Sequence, residues 1–104
     1  MRLVFDYALN GGVMNREEAY QTIINGYKRY RRDGMLNVLF AVFLEDNDDI
    51  SVLHLTDRRI RILKNDLKSR DGEIRKKFVG VYNKNISEEG LLEDIEYVKE
   101  SRDG

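Results

Sequence analysis

The stretch MNREEAYQTIINGYKRYRRDG (residues 14–34) places Tyr20, Ile23, Ile24 and Tyr27 at i, i+3, i+4 and i+7. That spacing lines one face of an α-helix. Asn15 stands at the N-cap, and Glu18, three residues on, completes a capping box. Met14 and Ala19 occupy the two positions of a hydrophobic staple. Asp33-Gly34 ends the helix, with Gly34 at C′.

The next block is the most apolar in the chain. NVLFAVFL (residues 37–44) is rich in β-branched and aromatic residues and predicts a strand from about Met35 to Leu44. EDNDD (residues 45–49) is a polar turn, and ISVLHL (residues 50–55) is a second strand, so the two form a hairpin. Residues 56–72 carry two patterns. As a helix, Thr56 caps it, Ile60, Leu63 and Leu67 form a stripe, and Gly72 stops it. As a strand, Ile60 and Ile62 alternate with Arg59 and Arg61. The helix is favoured because neither Gly nor Pro interrupts residues 56–71. EIRKKFVGVY (residues 73–82) predicts a strand. The last block predicts a helix from about Glu88 to Arg102, capped by Ser87 and stapled by Ile86 and Leu91. Leu91, Leu92, Ile95 and Val98 would face inward.

The expected fold is α+β: a small, mainly antiparallel three-stranded sheet with two or three helices, ordered α-β-β-α-β-α or α-β-β-β-α. Residues 14–104 form one such domain. Residues 1–13 have two readings. Gly11-Gly12 turns a short strand into the first helix, or Met14 is the true start. In the second reading GGV derives from a ribosome-binding site, and the first thirteen residues are a non-native tail. A short gene in a compact, phage-like genome would suit that reading.

The first strand poses a physical demand. Leu36, Val38, Phe40, Val42 and Leu44 point one way, and Met35, Leu39, Ala41 and Phe43 the other. Two terminal helices can cover only one face. Leaving Met35, Leu39 and Phe43 in water forgoes about 5–9 kcal/mol, at roughly 1.5–3 kcal/mol per large side chain. That rivals the ~5–15 kcal/mol stability of a whole domain. The cover is the helix proposed over 57–70, residues 3–8 folded back, or a second protein surface.

Composition narrows the choices. With 18 Lys+Arg against 19 Asp+Glu, the chain has net charge −1 and lacks the basic excess of most nucleic-acid binders. The charge is nevertheless divided. Residues 28–77 hold 13 basic and 9 acidic residues, and residues 78–104 hold 3 and 7. Without cysteine there is no disulfide and no thiolate chemistry. No apolar run approaches the ~18 residues of a membrane span. The expected compartment is the cytoplasm.

Candidate chemistry is sparse. YKRYRR (residues 27–32) interleaves rings with cations, a pattern that suits phosphate and base stacking. Cations in a helix's last turns also complement its dipole. If residues 58–64 were a strand, the element order would resemble that of the double-stranded-RNA-binding domain. The basic cluster that family carries at its last helix is replaced here by SEEGLLED, so the likeness ends at element order. EDNDDISVLHLTD lacks the glycine of a calcium loop. His54 is the only histidine, which with no cysteine argues against zinc; it reads as an ordinary strand residue. No phosphate-loop or dinucleotide fingerprint occurs.

The sequence therefore points to a small non-catalytic protein-interaction module, a regulator or inhibitor acting by direct binding. Met35, Leu39 and Phe43 would form its contact surface, and its partner would be another protein or a second copy in a homodimer. The alternative is a DNA- or RNA-binding module that uses Lys28, Arg31, Arg32, Arg58, Arg59 and Arg61. No enzyme activity, cofactor, metal or membrane partner is expected.

Overall fold

The local signals at the first helix act as their chemistry requires. A computed structural model describes residues 14–31, 38–46, 48–68 and 73–103. In it α1 spans Arg16–Arg31. The Asn15 N–H donates to Glu18 Oε1 at 3.1 Å, and the Glu18 N–H donates to Asn15 Oδ1 at 2.9 Å. This reciprocal pair is the capping box. Met14 does more than staple the helix. Its N–H and C=O bond the C=O and N–H of Ile50 at 3.3 and 3.0 Å, tying the start of α1 to the sheet.

Strands β1 (Leu39–Leu44) and β2 (Ile50–Leu55) form the expected hairpin, in register from Leu39↔Leu55 to Leu44↔Ile50. The turn closes when the Glu45 N–H donates to the Asp49 carbonyl at 2.7 Å. Asp48 takes a left-handed φ of 68°, which a short polar side chain tolerates better than most.

Residues 57–68 are helical, as α2 (Asp57–Lys68). The Thr56 hydroxyl accepts the Arg59 N–H at 3.3 Å and caps it. This excludes the α-β-β-β-α order. Helical spacing brings Ile60, Leu63 and Leu67 onto the sheet, whereas a strand would have presented only Ile60 and Ile62.

The strand expected over 73–82 begins later. Its first half coils into a short helix, α3 (Glu73–Lys77), and only Phe78–Tyr82 extend, as β3. Ile74 and Phe78, one helical turn apart, thereby reach the same core. The helices thus number four rather than two or three among the described residues. β3 pairs antiparallel with β1, with a bulge at Val42/Phe43. The sheet order is β2-β1-β3, so β1 is central. The last helix, α4 (Glu88–Asp103), is capped by Ser87, whose Oγ accepts the Gly90 N–H at 3.0 Å.

Two cores result, one on each face of the sheet. Val38, Phe40, Val42 and Leu44 pack with Ala19 and Ile23 of α1 and with Leu91 and Ile95 of α4. Ala41 and Phe43 pack with Leu53, Leu55 and Leu63, flanked by Leu39, Ile60, Leu67, Ile74 and Phe78. The second face is therefore covered within one copy, by α2 and α3. This corrects the expectation for Phe43, which is 1% exposed and lies 5.9 Å, ring to ring, from Phe78. A side chain so placed cannot serve as a contact surface. Leu39 is half-buried. Met35 lies outside the described residues, as do residues 1–13. Among the described residues no helix is long and apolar enough to cross a membrane.

Phe43→Ala should lower unfolding stability by about 3–5 kcal/mol, the usual cost of emptying a buried phenylalanine site. Urea denaturation measures it. A loss below about 1 kcal/mol would mean that the second core does not grip this ring.

Candidate anion-binding cleft

α1 lies alongside β2, and its charge changes along its length. Near Met14 and Ile50 the acidic residues Glu17, Glu18, Asp48 and Asp49 gather. At the other end, where α1 finishes and α2 begins, the cations gather. A cleft of about 520 Å³ opens there, lined by Thr22, Asn25 and Arg29 of α1, His54 of β2 and Arg59 of α2 among others.

His54 is held by stacking. Its ring lies 3.7 Å from that of Tyr30, with only 4° between the planes. Phe40 packs against the pair, 5.4 Å from His54 and 6.4 Å from Tyr30, centroid to centroid. The Arg29 guanidinium sits 5.7 Å from the Tyr30 centroid, a cation–π contact. Arg59 Nη1 donates to the His54 carbonyl at 2.9 Å, which positions this arginine against the strand. Gly26 allows the close fit of α1 on Phe40. A Cβ at Gly26 would stand 2.5 Å from the tip of the Phe40 ring.

Two guanidinium groups and an amide thus line the cleft, beside a stacked aromatic pair. Burial, and then the Arg59 charge, hold the His54 pKa below its ordinary 6.5. Its Nε2 is buried without a hydrogen-bond partner among the described residues. A neutral imidazole avoids adding a third positive charge to a partly dehydrated site.

The residues named from the sequence fall in different places. Lys28, Arg58 and Arg61 are exposed on α1 and α2 outside the cleft's lining, and Arg59 lines it. Arg31 ends α1, but its side chain, like all of Arg32, lies outside the described residues. Arg29 and Tyr30 are not among the residues the sequence singles out, and His54 reads from the sequence as an ordinary strand residue. Arg29 and Tyr30 stand within the YKRYRR run, and Tyr30, one turn after Tyr27, packs against the first core. The stacking of His54 on Tyr30 has no sequence signal, because the two are remote in the chain. The Tyr82 hydroxyl donates to Asp94 at 2.6 Å; burial and that carboxylate raise its pKa well above the usual range, so it remains a donor tying β3 to α4. Among the described residues no group of three or more His, Asp or Glu side chains could hold a metal.

Two outcomes follow. Because the folded pKa of His54 is depressed, the unfolded chain takes up the proton first as pH falls. Stability is therefore full above 6.5 and lost as pH drops from 6.5 through the folded value. Urea midpoints at roughly pH 7.5 and 5.5 should differ in the native protein, and the difference should shrink in His54→Phe. There is one histidine, so the assignment is direct. Gly26→Ala, which in an open helix would stabilise by about 1 kcal/mol, should here destabilise, because the buried Phe40 ring cannot yield. A raised melting temperature would contradict the close packing described.

No family model, curated protein or solved structure matches this chain.

Proposed function

We propose that this protein is a nucleic-acid-binding module that takes single-stranded, phosphate-bearing backbone at the cleft between α1, β2 and α2. The observation that carries this reading is convergence. Arg29 and Arg59, thirty positions apart in sequence, line one concavity, and Lys28, Arg58 and Arg61 are exposed on the same two helices. Guanidinium groups suit phosphate oxygens, since they present several N–H donors in a planar fork. The amide of Asn25 adds a neutral donor, whereas the Thr22 hydroxyl donates its one hydrogen to the Glu18 carbonyl at 2.7 Å. The overall charge of −1 does not oppose this, because the acidic cluster near Ile50 lies at the far end of α1. Association would draw on local field rather than net charge.

A second reading retains contact with another protein, and one observation favours it. Val81 is 44% exposed, on the same sheet face as Ala41 and the half-buried Leu39. The helices on that face leave this corner open. A regulator or homodimer contact would lie there, and not on Phe43.

Fluorescence anisotropy with labelled oligo-dT and oligo-U at low salt tests the first reading. Binding should weaken steeply as salt rises. Arg29→Ala and Arg58→Ala should each cost roughly tenfold or less and lower the salt slope by about 0.7 per lost phosphate contact. Absence of binding to either strand at low salt, or binding unaffected by both changes, would remove this reading.

A further inference from the structure

Away from that cleft, a groove of about 430 Å³ runs between α3 and the last turns of α4. Its apolar lining is Phe78, Val98 and Tyr97, and Tyr97 is 73% exposed. Among the described residues Tyr97 and Val81 are the large apolar side chains left exposed, and Tyr97 adjoins the apolar floor of this groove. Its cations are Arg75, Lys76 and Arg102. Arg102 is anchored: its N–H groups donate to the carbonyls of Leu44, Glu45 and Lys76. These acceptors are neutral, so the bonds fix the guanidinium without cancelling its charge. Two carboxylates of the adjoining turn lie against Lys77, and Asp46 also borders Lys76 and Arg102. Glu45 and Asp46 lie 3.4 and 4.0 Å from Lys77 Nζ. Arg75 and Lys76 are exposed and have no carboxylate partner among the described residues.

We infer that this groove docks an acidic peptide segment carrying an apolar anchor. The anchor rests on Tyr97 and Val98 above Phe78, and flanking carboxylates meet Arg75 and Lys76. Charge complementarity specifies the acidic partner, and the apolar floor specifies a side chain that a sugar–phosphate backbone does not supply. An exposed tyrosine beside cations is the composition in which a few residues carry most of a contact's energy. The site is separate from the cleft at Arg29 and Arg59, and the inference does not rest on nucleic-acid binding.

The experiment uses the full chain and a fluorescein-labelled Asp/Glu-rich peptide with one central leucine, read by anisotropy. The peptide should bind, and the charge reversals Arg75→Glu and Lys76→Glu should each weaken it roughly tenfold or more. Tyr97→Ser should weaken it severalfold, and replacing the leucine by serine should do the same. Arg29→Ala should leave it unchanged. All the protein positions changed are exposed, so the fold should tolerate them. No binding, equal binding of the leucine-free peptide, or insensitivity to the charge reversals would overturn the proposal. So would labelled oligo-dT that loses binding on Arg75→Glu while the peptide shows none. Loss of oligonucleotide binding on Arg29→Ala with intact peptide binding would leave this proposal standing, whatever becomes of the cleft.

Discussion

Strand β1 is apolar on both faces and hydrogen-bonded on both edges, and the remaining elements are arranged to satisfy it. Phe40, Val42 and Leu44 need cover on one side, Ala41 and Phe43 on the other. Each large residue among them is worth about 1.5–3 kcal/mol when buried, so neither face can be left open in a chain this small. Its edges need partners too, because an unpaired buried N–H or C=O is costly. β2 and β3 supply them. α1 and α4 then close one face, and α2 with α3 closes the other. The connection from β2 to β3 therefore has to cross the sheet, and a helix that crosses brings its own apolar stripe.

Polar contacts fasten the ends of this arrangement. Where β1 leaves the sheet, the carbonyls of Leu44 and Glu45 accept from Arg102, which comes from the far end of the chain. Lys77, just before β3, pairs with Glu45 at the same corner. Arg16 and Glu96 link the two helices of the first face. The Arg16–Glu96 pair is about half-exposed and adds little by itself. The Arg102 cluster differs, since it satisfies the backbone carbonyls of Leu44 and Glu45 where the strand leaves the sheet.

The same packing sorts charge in space. α1 carries acids in its first turn and cations in its last, and β2 holds it along the sheet edge. One end of the edge is consequently acidic and the other basic. α2 begins at the basic end, with Arg58 and Arg59 in its first turns. α3 carries Arg75, Lys76 and Lys77 to a different corner, beside the exposed Tyr97. Two basic concavities arise from a chain whose net charge is close to zero.

Much of the secondary structure was legible because its causes are local. The Asn15–Glu18 box, the Ser87 cap and the stripe at Ile60, Leu63 and Leu67 involve residues within a turn or two of one another. The hairpin followed from two β-forming runs on either side of the polar EDNDD turn. Residues 73–77 depart from the strand that their sequence suggests for a tertiary reason: β-forming residues follow them directly, and only the position of the second core makes a helical turn the better way to bury Ile74. The site was less legible still. YKRYRR announced cations and rings, but nothing in it indicated that Arg29 would share a cleft with Arg59 or that Tyr30 would stack on His54. Those contacts depend on how α1 lies against β2, and that is decided by Gly26 meeting Phe40 and by Met14 meeting Ile50. Sequence by itself determined the elements and the demand for cover on both sides of β1, because periodicity and caps act over a few residues. Tertiary structure alone decided which helix met that demand and which charges became neighbours, because such distances between remote segments have no period in the chain.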